Sequence, residues 1–405
     1  MSRIVTKRRT LLRALAALPG LGMLAGTSEA VAGESLMESD LFRELGVRTF
    51  INAGGTFTAL TGSLMRPEVV AAIQKASKKF VRLDDLHGVV GPRIAHLLRC
   101  EAALVTSGCA SAMMLGTAAC LTGDDPIKMR ALPDTTGLKS EVILQKTHRV
   151  GYDHAIRNTG VTLVEVETLE ELKNAISDKT AMLFFLNYAD PLGQIHHEEF
   201  VAVAKSKGIP TLIDAAADVP PVENLWKYTK MGFDLVAFSG GKGIRGPQSS
   251  GLLLGRKDLV NAARLNTSPN GDTIGRTNKV NKEEIVGMLV AIETYLKEDH
   301  AAIWKDWESR CDRIARALSG PSDIRTEIYI PAIANAIPHL RISWDAKERG
   351  VTVAQVVSKL RDGTPSIEFG PGAASGRTLN VAAWMMQPGE DLIVADRLRS
   401  ALGIV

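Results

Sequence analysis

The 405-residue chain has few aromatic residues, few cysteines and no large surplus of either charge. Four cysteines in a chain of this length exclude a small disulfide-stabilised scaffold, and a hydrophobic fraction of 45% excludes a disordered protein. Aromatic residues make up only 5% of the chain, whereas there are 36 glycines, which favours closely packed layers of helices on a sheet. The length predicts two or three domains.

The formal charge of +3 comes from the N-terminal region. Residues 1–32 contain five Lys or Arg and one acid, Glu29, so the rest of the chain has 43 basic and 44 acidic residues. Without a basic surplus, nucleic-acid binding lacks its main electrostatic support. We therefore expect a soluble enzyme that acts on a small molecule, with no nucleic acid partner and no stable membrane association.

The N-terminus has the three parts of an export signal. Residues 7–13 are basic with a pair of arginines, an apolar run follows to Ala25, and the small residues A-V-A occupy positions 30–32. The apolar run is too short and too rich in Gly and Ala for a membrane span. The arginine pair resembles a twin-arginine signal, which predicts a signal peptide at residues 1–32, recognition by the export machinery, and a periplasmic protein starting near Gly33. A basic amphipathic or disordered tail is the alternative.

The four cysteines show neither the spacing of a metal site nor a C-x-x-C pair. We expect no metal. Buried free thiols are the simplest interpretation, although an exported protein can form a disulfide. The cysteines are Cys100, Cys109, Cys120 and Cys311.

Beyond residue 40, apolar strand-like runs alternate with helical segments, which predicts a three-layer α/β architecture with a mostly parallel sheet. The predicted strands are Ala102–Val105, Val142–Leu144, Thr162–Val166, Ala181–Asn187, Thr211–Asp214, Leu235–Ser239 and Gly251–Leu254. Helices are predicted at Leu169–Ile176 and Glu198–Lys207, and a long helical stretch at Lys282–Ala317. We place an N-terminal segment at 33–60, a large domain at 61–280 and a small C-terminal α+β domain at 281–405.

Three motifs follow strands in this pattern. Thr106–Ala112 begins with a Ser-Gly turn at the start of an Ala-rich helix, where free N–H groups and the helix dipole suit a phosphate. Asp214 ends an apolar strand and is followed by small residues, including Ala216. Lys242 lies in a glycine-rich loop after another strand, where its amine can react with an aldehyde. Alone, the first two motifs are more typical of a helix N-cap and a capping Asp. The alternative for Lys242 is an exposed loop lysine, but the many glycines between two apolar strands argue against it.

Together the three motifs match the needs of pyridoxal 5′-phosphate (PLP), whose phosphate needs an anchor, whose ring nitrogen needs an acid and whose aldehyde needs a lysine. The chain from Asn52 onwards resembles the fold-type I PLP-dependent enzymes, in the branch that contains L-seryl-tRNA(Sec) selenium transferase and D-glucosaminate-6-phosphate ammonia lyase-like proteins. The resemblance lies in Asn52–Thr56 with Gly62-Ser63, Glu101–Gly108, Ile213–Ala216, Ala237–Lys242 and Gly246–Gln248. It implies the aspartate aminotransferase-like fold with a seven-stranded sheet, and at least a homodimer.

The resemblance also implies roles for individual residues. Lys242 is expected to attach the cofactor and then move the Cα proton of the substrate, and Asp214 to keep the ring nitrogen protonated above Ala216. The phosphate is expected at Ser107, Gly108 and Cys109 with Ser239, and the ring is expected to stack on His148, with Tyr152 as the alternative. For anionic groups of the substrate we expect Arg377 and Arg66, with Arg93, Arg245, Arg276 and Lys279 as further candidates.

The branch points to elimination at Cβ. We therefore expect an ammonia lyase or dehydratase that converts a hydroxylated amino acid or amino-sugar acid into a 2-oxo acid and ammonia. An aminotransferase or racemase is the alternative. Export and the missing basic surplus disfavour a selenium transferase, because that enzyme acts on a tRNA. The intact Lys242 and Asp214 disfavour a non-catalytic binding protein. The polar segment Thr122–Lys139 reads as an insertion that covers the site.

Overall fold

A computed structural model describes residues 40–404, so the predicted signal peptide lies outside the described residues. The chain divides into two units after Phe50. In the described part of the first unit, Asp40 caps a short helix by accepting a hydrogen bond from the Arg43 N–H at 3.3 Å. All other elements, apart from the first residue of strand β1, belong to the second unit.

Thirteen strands are present in the described residues. They are β1 Phe50–Asn52, β2 Ala102–Thr106, β3 Glu141–Gln145, β4 Thr162–Val166, β5 Thr180–Leu186, β6 Thr211–Asp214, β7 Leu235–Ser239, β8 Gly251–Gly255, β9 Ile324–Tyr329, β10 His339–Trp344, β11 Ser366–Glu368, β12 Ala374–Ser375 and β13 Thr378–Val381.

Fifteen α-helices are present in the same residues. They are α1 Leu41–Glu44, α2 Pro67–Ser77, α3 Leu83–Leu98, α4 Cys109–Thr122, α5 Pro126–Ala131, α6 His154–Arg157, α7 Leu169–Ala175, α8 His197–Lys207, α9 Asn224–Met231, α10 Lys257–Leu265, α11 Lys282–Tyr295, α12 His300–Ala317, α13 Ala346–Arg349, α14 Val353–Asp362 and α15 Glu390–Leu402.

The predicted strands between residues 102 and 255 form one seven-stranded sheet in the order β2-β8-β7-β6-β5-β3-β4. All neighbours are parallel except β8, which runs antiparallel to both β2 and β7. The mostly parallel, seven-stranded fold is thereby confirmed. Strands β2, β6 and β7 consequently end at the same edge, where open α/β sheets bind their ligands.

The sheet is buried on both faces. Alternate residues of each strand point to opposite sides, so that Phe185 and Ile213 belong to one hydrophobic core, whereas Phe184 and Leu212 belong to the other. Helix α4 is buried along nearly its whole length in the second core. A side chain at Gly116 of this helix would meet Leu212 Cδ1 at 2.5 Å, so the helix lies directly on the sheet. The layers therefore hold the start of α4 rigidly at the sheet edge.

The C-terminal residues form a four-stranded antiparallel sheet, β12-β13-β10-β9, with its own hydrophobic core. Helix α11, however, packs its residues Ile285, Met288 and Ile292 into a core of the large sheet. The segment at Ile51 and Ala53 contributes to the C-terminal core. The domain boundaries given above stay a prediction.

Two expectations from the sequence need correction. The helical stretch Lys282–Ala317 is two helices, because the Asp299 carboxylate accepts a hydrogen bond from the Ala302 N–H at 3.0 Å and starts a new helix. The polar segment 122–139 does not line the cavity described below, because its helix α5 buries Met129 and packs against α4. Between residues 40 and 404, no helix combines the length and apolar character of a membrane span.

Candidate active site

A cavity of about 430 Å³ lies at the shared edge of the large sheet. Its wall includes residues from, or just after, the carboxyl ends of four strands: Gly108 after β2, Leu186 of β5, Asp214 of β6 and Ser239 of β7. Lys242 lies three residues beyond Ser239 and also lines the cavity. Parallel pairing thus brings together residues that are far apart in sequence, as expected from the three motifs.

The phosphate site predicted after β2 is the N-terminus of helix α4. Gly108 precedes the helix with a φ of 88°, a left-handed conformation that favours glycine, and Thr106 Oγ1 donates to the Gly108 carbonyl at 2.9 Å. The N–H groups of the first helical turn have no partner within the helix, so they can bind an anion. Gly108 and Cys109 line the cavity. Ser107 does not, because its hydroxyl donates to the Asn278 carbonyl at 3.0 Å.

Asp214 is a buried carboxylate at the end of β6. The Ala216 N–H donates to its Oδ1 at 2.9 Å, and the thiol of Cys109 lies 3.5 Å from the same oxygen. Burial raises the pKa of Asp214 above its ordinary value, while the Ala216 N–H and the charge of Lys242 oppose the shift. A positively charged partner, such as a protonated ring nitrogen, would stabilise the ionised form of this buried carboxyl group.

The glycines around Lys242 have a different function from the one that their sequence suggested. We expected them to admit a ligand, but side chains at Gly240, Gly241 and Gly243 would meet Ser250, Gln248 and Val219 at 2.1–2.4 Å. The glycines are therefore required by close contacts within the protein. The loop is compact, and it holds Lys242 half-buried at the cavity wall.

His148 is not at the cavity, contrary to the prediction of a ring-stacking residue. Its side chain is fully buried, its Nδ1 accepts a hydrogen bond from the Leu186 N–H at 3.1 Å, and its ring contacts Phe185 edge-on. Burial lowers the pKa of His148 to about 4, so it is a neutral core residue. Tyr152, the alternative, lines the cavity, as does Tyr188.

The predicted substrate-binding cations are also not at this cavity, where Lys242 is the only basic residue among the lining side chains that the structure describes. Arg377 is largely exposed and pairs with Asp345 at 3.1 Å. Arg66 is buried in an ion pair with Glu298 and, like Arg245, lines a second cavity. The remaining candidates line neither cavity; Arg93 is paired with Glu293, and Arg276 and Lys279 are exposed.

Asp218 and Asn335 are among the cavity residues that were missed from the sequence. Asp218 is a second buried carboxylate, hydrogen-bonded by the Asn187 amide at 2.8 Å, and it follows Asp214 by four residues in the same small-residue run. Extending that motif by one residue would have included it. Asn335 comes from the loop after β9, and its Oδ1 is buried with no hydrogen-bond partner among the described residues. No sequence signal marks this asparagine, which offers an acceptor to a ligand.

The residues present fit PLP. Unpartnered N–H groups at the start of α4 suit its phosphate, Asp214 suits its ring nitrogen, and Lys242 suits its aldehyde, all on one cavity large enough for a small cofactor. Ala216 and Ser239 line the same cavity, as predicted. No group of three or more His, Cys, Asp or Glu side chains in the described part of the chain is arranged to hold a metal ion.

Comparisons with known proteins agree with this fit. The family described as "Aminotransferase class-V" matches residues 143–285, a stretch that includes Asp214 and Lys242. D-glucosaminate-6-phosphate ammonia lyase of Salmonella typhimurium is 28% identical over 374 residues, covering 90% of this chain and 98% of that protein. A solved structure of D-glucosaminate-6-phosphate ammonia-lyase superposes with a TM-score of 0.79 at 28% identity, covering 91% of this chain and 99% of that one.

Other similar proteins have different activities. A 5′-C-glycyluridine monooxygenase-decarboxylase of Streptomyces is 28% identical over 80% of this chain and 83% of its own, and an L-seryl-tRNA(Sec) selenium transferase of Desulfotalea psychrophila is 26% identical over 68% and 63%. A serine palmitoyltransferase structure determined with PLP aligns at a TM-score of 0.55 and 17% identity, over 88% of this chain and 89% of that one. The predicted resemblance is confirmed, and the chain is a PLP-dependent enzyme with the PLP-dependent transferase fold.

Proposed function

We propose that this protein is a PLP-dependent ammonia lyase that acts on a hydroxylated amino acid, and most specifically on an amino-sugar acid. The observation that carries the proposal is the meeting of Lys242, Asp214 and the N-terminus of helix α4 in one cavity. Similarity to D-glucosaminate-6-phosphate ammonia lyase over nearly the full length of both chains supports the reaction and the substrate class.

Each residue has a separate task in this proposal. Bound PLP supplies an electron sink that stabilises negative charge at the Cα of an amino acid. Lys242 would hold the cofactor's aldehyde, and its free amine would accept the Cα proton. Asp214 would keep the ring nitrogen protonated, and the first turn of α4 would anchor the phosphate. Apolar side chains, including Met113 and Leu186, form part of the wall of the same cavity.

The overall reaction requires no second substrate. Loss of the Cα proton and of the β-hydroxyl releases water, and hydrolysis of the remaining carbon–nitrogen bond consumes water, so that a 2-oxo acid and ammonia are the net products. The buried Asp218 carboxyl lines the same cavity and is available to protonate a leaving hydroxyl.

The test is an assay of the PLP-loaded protein with D-glucosaminate-6-phosphate, D-glucosaminate and L- and D-serine. We expect release of ammonia and a 2-oxo acid in equal amounts from at least one of them. Lys242→Ala should abolish the release, whereas Lys207→Ala, an exposed lysine at the end of α8, should leave it unchanged. Release that persists in Lys242→Ala contradicts the proposal.

An aminotransferase is the second candidate, because the class-V aminotransferase family matches the segment that contains Lys242. An aminotransferase needs a keto acid to complete its cycle, whereas a lyase does not. Turnover that starts only when pyruvate or 2-oxoglutarate is added favours the aminotransferase. Multiple turnovers without a keto acid favour the lyase.

We also propose that the protein is exported by the twin-arginine route and works in the periplasm as at least a homodimer. The paired arginines and the A-V-A site support export. Replacement of the arginine pair, Arg8→Lys with Arg9→Lys, should keep the full-length chain inside the cell, while the wild type should appear outside the cytoplasm with a start near Gly33. Light scattering of the purified protein tests the dimer.

A further inference from the structure

The loop that carries Lys242 contributes to two cavities. Lys242 lines the cavity described above, whereas Gly243 and Arg245 line a second one of about 330 Å³. The Arg245 N–H donates to the Lys242 carbonyl at 2.9 Å, which closes a tight turn between the two residues. Arg245 has a φ of 57°, a left-handed conformation that is unusual for a bulky side chain. Such conformations gather at functional sites.

Three arginines line this second cavity, and two of them are already paired. Arg66 contacts Glu298 through two hydrogen bonds of 2.5 and 2.6 Å, and Arg310 pairs with Asp306 at 2.5 Å. Arg245 has no ion pair with a carboxylate within the described residues, and its Nε donates to a backbone carbonyl. The lining side chains therefore have one positive charge more than they have carboxylates.

The uncompensated charge is in an unfavourable environment. Arg245 is half-buried, and burial together with the guanidinium groups of Arg66 and Arg310 lowers the pKa of Arg245, although the carboxylates of Glu298 and Glu68 oppose this shift. Both effects disfavour its charged form. An anion bound beside Arg245 would reverse them, because it replaces lost hydration and balances the charge.

Two of the residues that line the cavity also have a buried polar atom without a partner. The Tyr295 hydroxyl and the His300 Nε2 make no hydrogen bond within the described chain, although the Tyr295 side chain is only 3% exposed. The two rings contact each other with centroids 4.6 Å apart. A buried hydroxyl without a partner is unfavourable and rare in native proteins. A ligand oxygen is the acceptor that Tyr295 lacks.

The remaining wall is aromatic and apolar. Trp307 and Trp384 line the cavity with ring centroids 5.8 Å apart, and Met385 and Met386 lie beside them. The cavity volume falls within the range of small-molecule sites, about 300–1,000 Å³. An anionic group near Arg245 can therefore belong to a molecule whose carbon skeleton packs on the tryptophans.

We propose that this second cavity binds the phosphate group of a small organic phosphate, with Arg245 as its charge partner and Tyr295 as a hydrogen-bond donor. Binding itself does not depend on the reaction at Lys242. The phosphate has two possible sources, the distal phosphate of the substrate or a separate effector; the first case rests on the proposed function.

Calorimetric titration of the PLP-loaded protein with inorganic phosphate and with 6-phosphogluconate tests the site. PLP already fills the first phosphate site in this preparation, so added phosphate reports on the second cavity. We expect saturable binding at constant ionic strength, accompanied by a change in tryptophan fluorescence, and at least tenfold weaker binding by gluconate. Arg245→Gln and Tyr295→Phe should each weaken phosphate binding, by about tenfold or more for the arginine. Arg93→Gln, at an arginine outside both cavities, should bind as the wild type does.

The cofactor absorbance separates the two sources. If the phosphate belongs to the substrate, 6-phosphogluconate changes both the tryptophan fluorescence and the visible band of PLP. If it belongs to an effector, only the fluorescence changes. Absence of saturable phosphate binding overturns the proposal, as does equal binding by the wild type and both cavity variants. Phosphate binding without any ammonia release would support the phosphate site in the second cavity and contradict the proposed lyase activity.

Discussion

The thiol of Cys109 lies 3.5 Å from Oδ1 of Asp214, so the first residue of helix α4 meets the last residue of strand β6 inside the cavity. This contact joins the phosphate site to the residue proposed for the ring nitrogen. Burial, with the Asp214 carboxylate next in size, raises the pKa of the Cys109 thiol well above its ordinary value. The thiol is therefore a neutral, weak donor to Asp214 and not a nucleophile.

The thiols should be unreactive in the folded protein. All four cysteines are free, and burial raises the pKa of Cys100 to about 11 and that of Cys120 and Cys311 to about 12. We expect 5,5′-dithiobis(2-nitrobenzoate) to titrate no thiol rapidly at pH 8 in the native protein and four thiols in denaturant without reductant. A thiol that reacts rapidly in the native protein would contradict this expectation. So would a titration of only two thiols in denaturant, because it would indicate a disulfide.

Asp214→Asn should keep the cofactor but slow the reaction. The amide has nearly the same shape as the carboxylate but cannot carry the charge that holds a ring nitrogen protonated. Hydrogen bonds to charged groups contribute about 1.5–3 kcal/mol, so kcat for ammonia release should fall about 10- to 100-fold. The visible PLP band should remain. Asp258→Asn, which removes an exposed partner of Arg256, is the matched control and should retain wild-type kcat.

Asp218 should make the folded protein less stable as pH rises towards 7. Burial raises the pKa of Asp218 from 3.8 to about 7, with Asp214 acting in the same direction and Asn187, Tyr228 and Lys242 opposing. Between about pH 4 and 7 the folded protein keeps a proton that the unfolded chain releases. Stability therefore decreases across this window, by at most a few kcal/mol, and does not change further above it because of this group.

Asp218→Asn removes this dependence, because an amide does not ionise. Urea unfolding of the cofactor-free protein at pH 5 and pH 8 measures it. The free energy of unfolding of Asp218→Asn, minus that of the wild type, should be larger at pH 8 than at pH 5. An equal difference at both values would show that Asp218 does not keep its proton in the folded chain.

Gly251→Ala should weaken cofactor binding through the backbone. A side chain at Gly251, the first residue of β8, would meet the Gly108 carbonyl carbon at 2.4 Å and the Cys109 nitrogen at 2.7 Å, which are atoms of the phosphate site. We expect a loss of about 1–3 kcal/mol in stability and weaker PLP retention.

Gly88→Ala is the control for this substitution. Gly88 lies in helix α3, and a side chain there has no atom within 4 Å. Alanine at this position should stabilise the protein by about 0.5–1 kcal/mol and leave PLP binding unchanged. Dialysis followed by absorbance, with thermal unfolding of both variants, distinguishes the two effects. Equal PLP retention by both variants would contradict the close approach of β8 to the phosphate site.

The sequence was a good guide to the sheet, because its central strands are continuous apolar runs. Thr211–Asp214 and Leu235–Ser239, two of these central strands, have the predicted bounds, as does the partly exposed edge strand Thr162–Val166. Ligands of open α/β sheets bind at the carboxyl ends of the strands. Because Asp214 ends one strand and Lys242 follows another, both residues could be assigned to one site.

Side-chain partners at long sequence separation were not predictable in this way. Arg66 binds Glu298 across 232 positions, and no local pattern indicates that pair. His148 was expected to stack on the ring because of the family resemblance, but hydrogen bonds from Leu186 and with Gln145 keep it in the core. The unpartnered Tyr295 and Asn335 became visible only when their surroundings were known.

Borohydride reduction of the PLP-loaded protein, followed by peptide mass spectrometry, tests whether PLP is attached to Lys242. We expect reduction to remove the visible absorbance band and to add the mass of the reduced cofactor to the peptide that contains Lys242, and we expect neither effect in Lys242→Ala. A cofactor mass on another lysine, or an unmodified Lys242 after complete loss of the band, would contradict the attachment of PLP to Lys242.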